Sequence, residues 1–427
     1  MTPPRPTPLL DAAIAALRRR EARRALALVS RALVHEGEAQ GQGLAVLGAA
    51  LRAADLPHAA LETLRAASAR RPTHLGLAYQ HARAAHDLGL LDEARAGFER
   101  CLRLAPAWSP ALSGLGETLL TAGDWARGWA ALDQGNRPEN HKALPLPPPE
   151  RAWDGRPLAG RRLLVIADQG YGDMVQFCRL LPPLAARAGG PVLLGCPPSL
   201  ARLLGRIPGL TAVFTRPPPA HAFDCFTVLS RLPLHLGLKE TDLPGPVPYL
   251  RPPPTLARRW AGRVEALARP RVALAWAGRP RHARDHRRSL PLAALAPLAC
   301  VAPFVALSPL PDSGSPPPLA LCPVMETLDD FAETAGLLHE IDLLISVDTA
   351  VAHLAGALNR PVWILLPFTP DWRWRRERVE TPWYPSARLI RQPMPGDWAS
   401  VLARVRDLLT RWHAGSPHGP PPDPGVA

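Results

Sequence analysis

Between positions 44 and 132 the chain repeats itself every 34 residues, and this period restricts the fold more than any other property. Leu44, Leu47, Gly48 and Leu51 align with Ala78, His81, Ala82 and Ala85, and these in turn with Leu112, Leu115, Gly116 and Leu119. The second half of each unit keeps the same step. Ala60, Ala94 and Gly128 correspond, as do Leu64, Phe98 and Leu132, while Pro72 and Pro106 close successive units. Ala, Leu and Arg, all strong helix formers, dominate from Leu9 onward, so each unit reads as a pair of helices. A single pair cannot bury its own apolar face. The pairs must therefore stack into a curved array with an exposed concave surface.

Small residues where helices cross and proline at the repeat end make this stretch similar to the tetratricopeptide (TPR) pattern. Residues 10–36 continue it in looser register as a fourth unit. Such an array either binds a peptide or another protein on its concave face or packs on the next domain. His58, His74, His81 and His86 lack metal-ligand spacing and read as surface or packing residues. Proline then takes over, at Pro138 and in the run 144–149, and fixes a semi-rigid linker over 138–152.

From position 153 the pattern changes to short apolar runs alternating with helical segments, the signature of parallel βαβ units. Strands are expected at 161–167, 191–196, 211–215 and 224–229, with helices at 174–188 and 199–204. After a second proline-rich stretch at 244–254 the pattern restarts: strands at 271–277 and 304–308, a helix at 327–340 with Thr327 and Asp330 resembling a capping box, and strands at 343–347 and 362–366. The polar turn Asp348–Thr349 joins a buried strand to a short helix carrying His353. A helix N-terminus at the end of a parallel strand offers unpaired N–H groups and a positive dipole end, which favours phosphate. In the first half, the loop Gln169, Gly170, Tyr171, Gly172, Asp173 holds the same position, with Asp173 either a functional acid or a helix cap. The basic loop 278–289 also follows a strand. Asp329 and Asp330 diverge on a helix and read as solvated, and the aromatics Trp372, Trp374, Trp383 and Tyr384 either stack on sugars or bases or pin the C-terminal region to the core.

Composition excludes several classes. No apolar run reaches the roughly 18 residues of a membrane span, and no secretory leader is visible, so a cytoplasmic protein is expected. Six scattered cysteines without C-x-x-C spacing argue against a zinc site or disulfide frame. The net charge of +13 is almost wholly arginine and is spread along the chain, which fits a coding bias and a solvated basic surface better than a nucleic-acid groove.

The order of these features, with Q-G-Y-G-D at 169–173 and S-V-D-T-A-V-A-H at 346–353, resembles bacterial glycosyltransferases of the heptosyltransferase type over residues 161–391. Repeats ahead of such a half are similar to the arrangement in O-linked N-acetylglucosamine transferases. The resemblance implies an α plus α/β protein: a TPR solenoid (1–137), the linker (138–152), and a two-lobed GT-B fold of twin Rossmann-like lobes, an acceptor lobe (153–250) and a nucleotide-sugar lobe (251–413), with a disordered tail (414–427). It implies that Asp173 is the catalytic base, that Asp348, Thr349, Ala350, Val351, His353 and Arg288 bind the donor, that Gln169, Gly170 and Gly172 shape the cleft, and that neither metal nor cofactor is needed. Ala350 and Ala352 stand where the family has glycine and serine. The implied partners are a nucleotide sugar and a protein acceptor held by the repeats. A lipopolysaccharide-type glycan acceptor, or a scaffold that has lost its chemistry, are the alternatives.

Overall fold

A computed structural model describes residues 8–35, 40–135, 144–280, 282, 284–299, 303–310, 316–415, 421 and 423. Part of the linker, including Pro138, and most of the tail lie outside the described residues. The chain divides into two units, Met1–Arg137 with Thr369–Arg376, and Pro138–Phe368 with Glu377–Ala427. Among the described residues no helix is long and apolar enough to cross a membrane.

Among the described residues the first unit holds four helix pairs: α1 (Pro8–Arg18) with α2 (Ala22–His35), α3 (Gln40–Ala53) with α4 (Pro57–Arg70), α5 (Leu75–Asp87) with α6 (Leu91–Leu104), and α7 (Ser109–Ala122) with α8 (Trp125–Gly135). The starts of α4, α6 and α8 fall 34 residues apart, at 57, 91 and 125. The repeat glycines sit where side chains of the paired helix leave no room. A Cβ on Gly48 would overlap Leu64, and one on Gly116 would lie 2.7 Å from Leu132 Cγ, the same contact two repeats later. His74 is an N-cap, its Nδ1 accepting from the Leu77 amide at 3.2 Å. His86 is buried against Thr118 and His81 pairs with Glu93 at 2.7 Å, so both are packing residues.

The segment Thr369–Arg376, placed by sequence within the second lobe, lies on this array. Trp372 packs edge-on against Trp129 (5.2 Å between ring centres) and Trp125 (6.4 Å). Two arginines cap equivalent points of successive repeats: Arg376 donates to the Asp87 carbonyl at the end of α5 (3.0 Å), and Arg375 to the Thr121 carbonyl near the end of α7 (3.0 Å). Positions 87 and 121 are one period apart. Guanidinium groups suit helix C-termini, where unpaired carbonyls and the negative dipole end gather. Trp372 is therefore a packing residue; Trp374, Trp383 and Tyr384 are likewise buried.

The second unit contains two all-parallel sheets. The first lobe has β1 (Leu163–Ile166), β2 (Val192–Gly195), β3 (Leu210–Phe214) and β4 (Cys225–Val228) in the order β3-β2-β1-β4. Its helices are α9 (Tyr171–Phe177), α10 (Leu181–Arg187), α11 (Pro198–Leu204) and the short α12 (Leu232–His235). The second lobe has α13 (Pro254–Val264), β5 (Val272–Ala275), the short α14 (Asp285–Arg288), β6 (Phe304–Ala306), β7 (Leu321–Pro323), α15 (Phe331–His339), β8 (Leu343–Val347), α16 (Ala350–Ala357), β9 (Val362–Leu366), β10 (Ala387–Arg391) and α17 (Trp398–Gly415). Its sheet runs β10-β9-β8-β5-β6-β7, and β8 and β9 are buried along their whole length.

Several sequence expectations change. The helix expected over 174–188 begins at Tyr171 and is broken by a 3-10 turn at Cys178–Leu180, with Pro182 and Pro183 opening α10, because a proline inside a helix removes an amide donor and clashes with the preceding turn. The helix expected over 327–340 begins at Phe331. Its N-cap is Asp330, which accepts from the Glu333 amide at 2.9 Å, so Thr327 forms no capping box. Asp330 is also not a solvated residue: Arg202 of the first lobe grips it at 2.8 and 2.9 Å. Strands β7 and β10 were not expected. The left-handed backbone of the 169–173 loop falls on Gln169 (φ 70°) and on neither glycine.

Candidate functional site

In each sheet the chain starts in the middle and extends to one side, then returns to the other. The reversal lies between β1 and β4 in the first lobe and between β5 and β8 in the second. Loops leaving such neighbours diverge to opposite faces and open a crevice at the carboxyl ends of the strands, the usual ligand position in open α/β sheets. Both crevices are bridged by a polar contact. In the first, Asp168 at the end of β1 is buried and accepts from the Ser230 amide (2.9 Å) and hydroxyl (2.6 Å) beyond β4. In the second, Arg288, the last residue of α14 after β5, donates Nη1 to the Asp348 carbonyl after β8 at 2.6 Å.

Arg288 is held rigidly. Its Nε pairs with Asp285 at 3.2 Å, and Gly278 lies so close that a Cβ there would be 2.8 Å from its Nη2. The Gly278 amide donates to Ser289 at 2.8 Å, closing the basic loop on itself. Thr349 is the N-cap of α16 with extended backbone, and its hydroxyl bonds Ser346 at 3.1 Å rather than capping the helix. The amides of Ala350 and Val351 thus have neither a helical carbonyl nor the cap side chain to bond. Asp348, Thr349, Ala350 and Val351 are all half-buried, so this turn opens to the surface.

His353 is buried one turn into α16. Its Nδ1 bonds the Tyr384 hydroxyl at 2.8 Å, and its Nε2 faces an Asp348 carboxylate oxygen at 3.8 Å, beyond hydrogen-bond range. The first-lobe loop meets the second lobe here. A Cβ on Gly172 would lie 2.8 Å from His353 Cδ2 and 3.7 Å from Ala350 Cα. Glycine is required by this approach of two turns. Asp173, on the next residue, accepts from the Gly170 amide at 3.0 Å and caps α9. Gln169 bonds Asp168 at 3.2 Å. Tyr171 continues the contact, its ring 5.1 Å from that of Phe331.

Residues 313–396 match glycosyltransferase family 9 (heptosyltransferase). The C-terminal region carries a glycosyltransferase family 9 domain. The matched stretch holds the 346–353 turn and Tyr384, while Arg288 and Asp173 precede it. Over 357 residues the chain is 27% identical to Protein FlbA of Caulobacter vibrioides, across 76% of this chain and 59% of that protein. The chain thus spans less than two thirds of that relative. Among solved structures, a thermophilic TPR protein of Thermus thermophilus aligns at 23% identity with a TM-score of 0.29, over 31% of this chain and 75% of that one. YrrB, a TPR protein with an unusual peptide-binding site, aligns at 21% identity with a TM-score of 0.26, over 30% of this chain and 65% of its own.

Around this domain, the structure adds partners that sequence reasoning missed. Asp168 had only the weak sign of an acid at a strand's carboxyl end, and Tyr384 none beyond its aromatic company. A further cluster ties the lobes away from the crevice. Glu333, almost fully buried, receives Arg202 (3.0 Å), Trp260 Nε1 (2.9 Å) and Arg259. Burial pushes its carboxyl up, but these three donors outweigh burial and hold it below its ordinary value. Among the described residues no group of three or more His, Cys, Asp or Glu could hold a metal ion.

Proposed function

We propose that the chain transfers a sugar from a nucleotide-sugar donor to an acceptor hydroxyl with inversion at the anomeric carbon, and that its TPR array presents a protein acceptor. The observation that supports this most is the facing of two turns: Arg288 fixed on Asp348 at the second lobe's chain reversal, with the Gly172–Asp173 turn of the first lobe against it. In this reading the donor diphosphate lies at the amides of Thr349, Ala350 and Val351 and against Arg288. As the acceptor oxygen bonds to the anomeric carbon, the bond to the diphosphate breaks, and its charge is taken by donors already in place; losing one such donor costs on the order of a hundred-fold in rate. Asp173 takes the acceptor proton, a contribution of roughly a hundred- to ten-thousand-fold. No metal or cofactor takes part in this scheme, and it is assigned to the cytoplasm. A cavity of about 470 Å³ in the repeats, bordered by Ile14, Val46, His74 and Gln80, suits a bound peptide.

The cap that Asp173 supplies to Gly170 favours a second reading, a binding scaffold in which this acid is structural. A panel of nucleotide sugars tested for thermal stabilisation separates the two, since a ligand at a hundred times its Kd adds about 2.7 kcal/mol. Asp173→Asn keeps an oxygen for the Gly170 amide, so folding and donor stabilisation should persist while transfer falls at least about a hundred-fold. Wild-type turnover in that variant would remove Asp173 from the chemistry, and no stabilisation by any donor would leave the scaffold.

A further inference from the structure

We propose that the first lobe carries a second binding site, for an amphipathic anion: a hydrocarbon-bodied molecule ending in a carboxylate or phosphate. A cavity of about 930 Å³ lies between α10, the end of α11 and the connection 236–251. That is within the roughly 300–1,000 Å³ of small-molecule sites. Its wall is aliphatic, with Leu180, Leu203, Ile207, Leu238 and Leu250 all buried.

The charge on this wall is one-sided. Arg179, Arg187, Arg206, Lys239 and Arg251 line it against a single acid, Asp242, whose carboxylate already accepts from the Lys239 amide at 2.8 Å. Arg187, Arg206, Lys239 and Arg251 are exposed, while Arg179 is only 9% exposed. Nη2 of Arg179 donates to the Trp383 carbonyl at 2.9 Å, and its guanidinium stacks over Tyr249 (4.3 Å) and Tyr384 (5.1 Å). Its Nε and Nη1 are buried without a hydrogen-bond partner. Tyr249 meets the guanidinium with its ring face, and its hydroxyl donates to the Val175 carbonyl at 3.0 Å. Four exposed cations and the Arg179 guanidinium in the same lining, against one acid already engaged, supply the reason for an anion, and the aliphatic wall the reason for a hydrocarbon body.

The cavity shares no lining residue with the crevice where donor and Asp173 are placed, and binding can be read without any transfer reaction. The test is titration of the full chain, below micellar concentrations, with dodecanoate, dodecyl phosphate, dodecanol and dodecyltrimethylammonium. Saturable one-to-one binding of at least one anion, ten-fold or more tighter than dodecanol, is expected, with no binding of the cation. Arg179→Met should weaken the anion on the order of ten-fold or more and leave dodecanol unchanged. Because Arg179 also holds the Trp383 carbonyl, a second variant keeps that contact: Pro183→Trp fills the cavity from its wall and should abolish binding of every probe. Equal binding of cation and anion, non-saturable uptake, or anion binding unchanged in Pro183→Trp would overturn the proposal.

Discussion

Gly172→Ala tests whether the two lobes meet as described, because its sign depends on one contact. Gly172 does not have a left-handed backbone and lies in the first turn of α9. With nothing nearby, an alanine there would stabilise the chain by about 0.4–1 kcal/mol through the unfolded state. The added methyl instead falls 2.8 Å from His353 Cδ2 and 3.3 Å from Nε2. The ring cannot swing aside freely: it is buried, and Tyr384 holds its Nδ1 at 2.8 Å. Overpacking of this kind costs about 1–3 kcal/mol. At about 2–4 °C per kcal/mol, a lower Tm by several degrees is expected. In a His353→Ala background the methyl has room, so the same substitution should be neutral or stabilising, with a coupling of about 1 kcal/mol or more in the double-mutant cycle. Urea and thermal unfolding of the four full-length proteins supply the numbers. An unchanged or higher Tm for Gly172→Ala alone, or equal effects in both backgrounds, would show that the turns do not touch.

Three other outcomes follow from the packing. Trp372→Ala empties the slot between Trp125 and Trp129 and should destabilise the repeat unit by about 3–5 kcal/mol, with faster proteolysis after Arg373, Arg375 and Arg376. Arg202→Ala should cost only about 0.5–1 kcal/mol in urea unfolding, since its side chain is 45% exposed and Glu333 keeps Arg259 and Trp260. Because the folded Glu333 carboxyl sits below its ordinary 4.5, it binds protons less readily than in the unfolded chain. Its contribution is complete above about pH 4.5 and is lost as pH falls through the folded value. Glu333→Gln should therefore flatten the acid limb of a stability–pH curve.

The repeat array and the strand–helix alternation were legible in the amino-acid order because each is enforced locally: a 34-residue recurrence of small and apolar residues, and buried β-runs closed by turn residues. That glycine faces leucine came from the packing, but that Gly48 and Gly116, and Leu64 and Leu132, hold equivalent places was implied by the period itself. So was the strand-to-helix turn at Asp348–Thr349, by the apolar run that ends there. What no local pattern could give was strand order. The adjacency of β5 to β8 places Arg288 on the carbonyl of Asp348, and that of β1 to β4 sets Ser230 on Asp168. Hydrogen bonds across 60 or more positions leave no periodic trace. The same holds for Arg202 on Asp330, Arg179 under Trp383 and Tyr384, and Trp372 on the repeats. Sequence determined which segments become helix and strand, since those choices depend on neighbours a few residues away. Which loops share a crevice, and which cations line one cavity, only the packed sheets decided, because both depend on side chains that folding alone brings together.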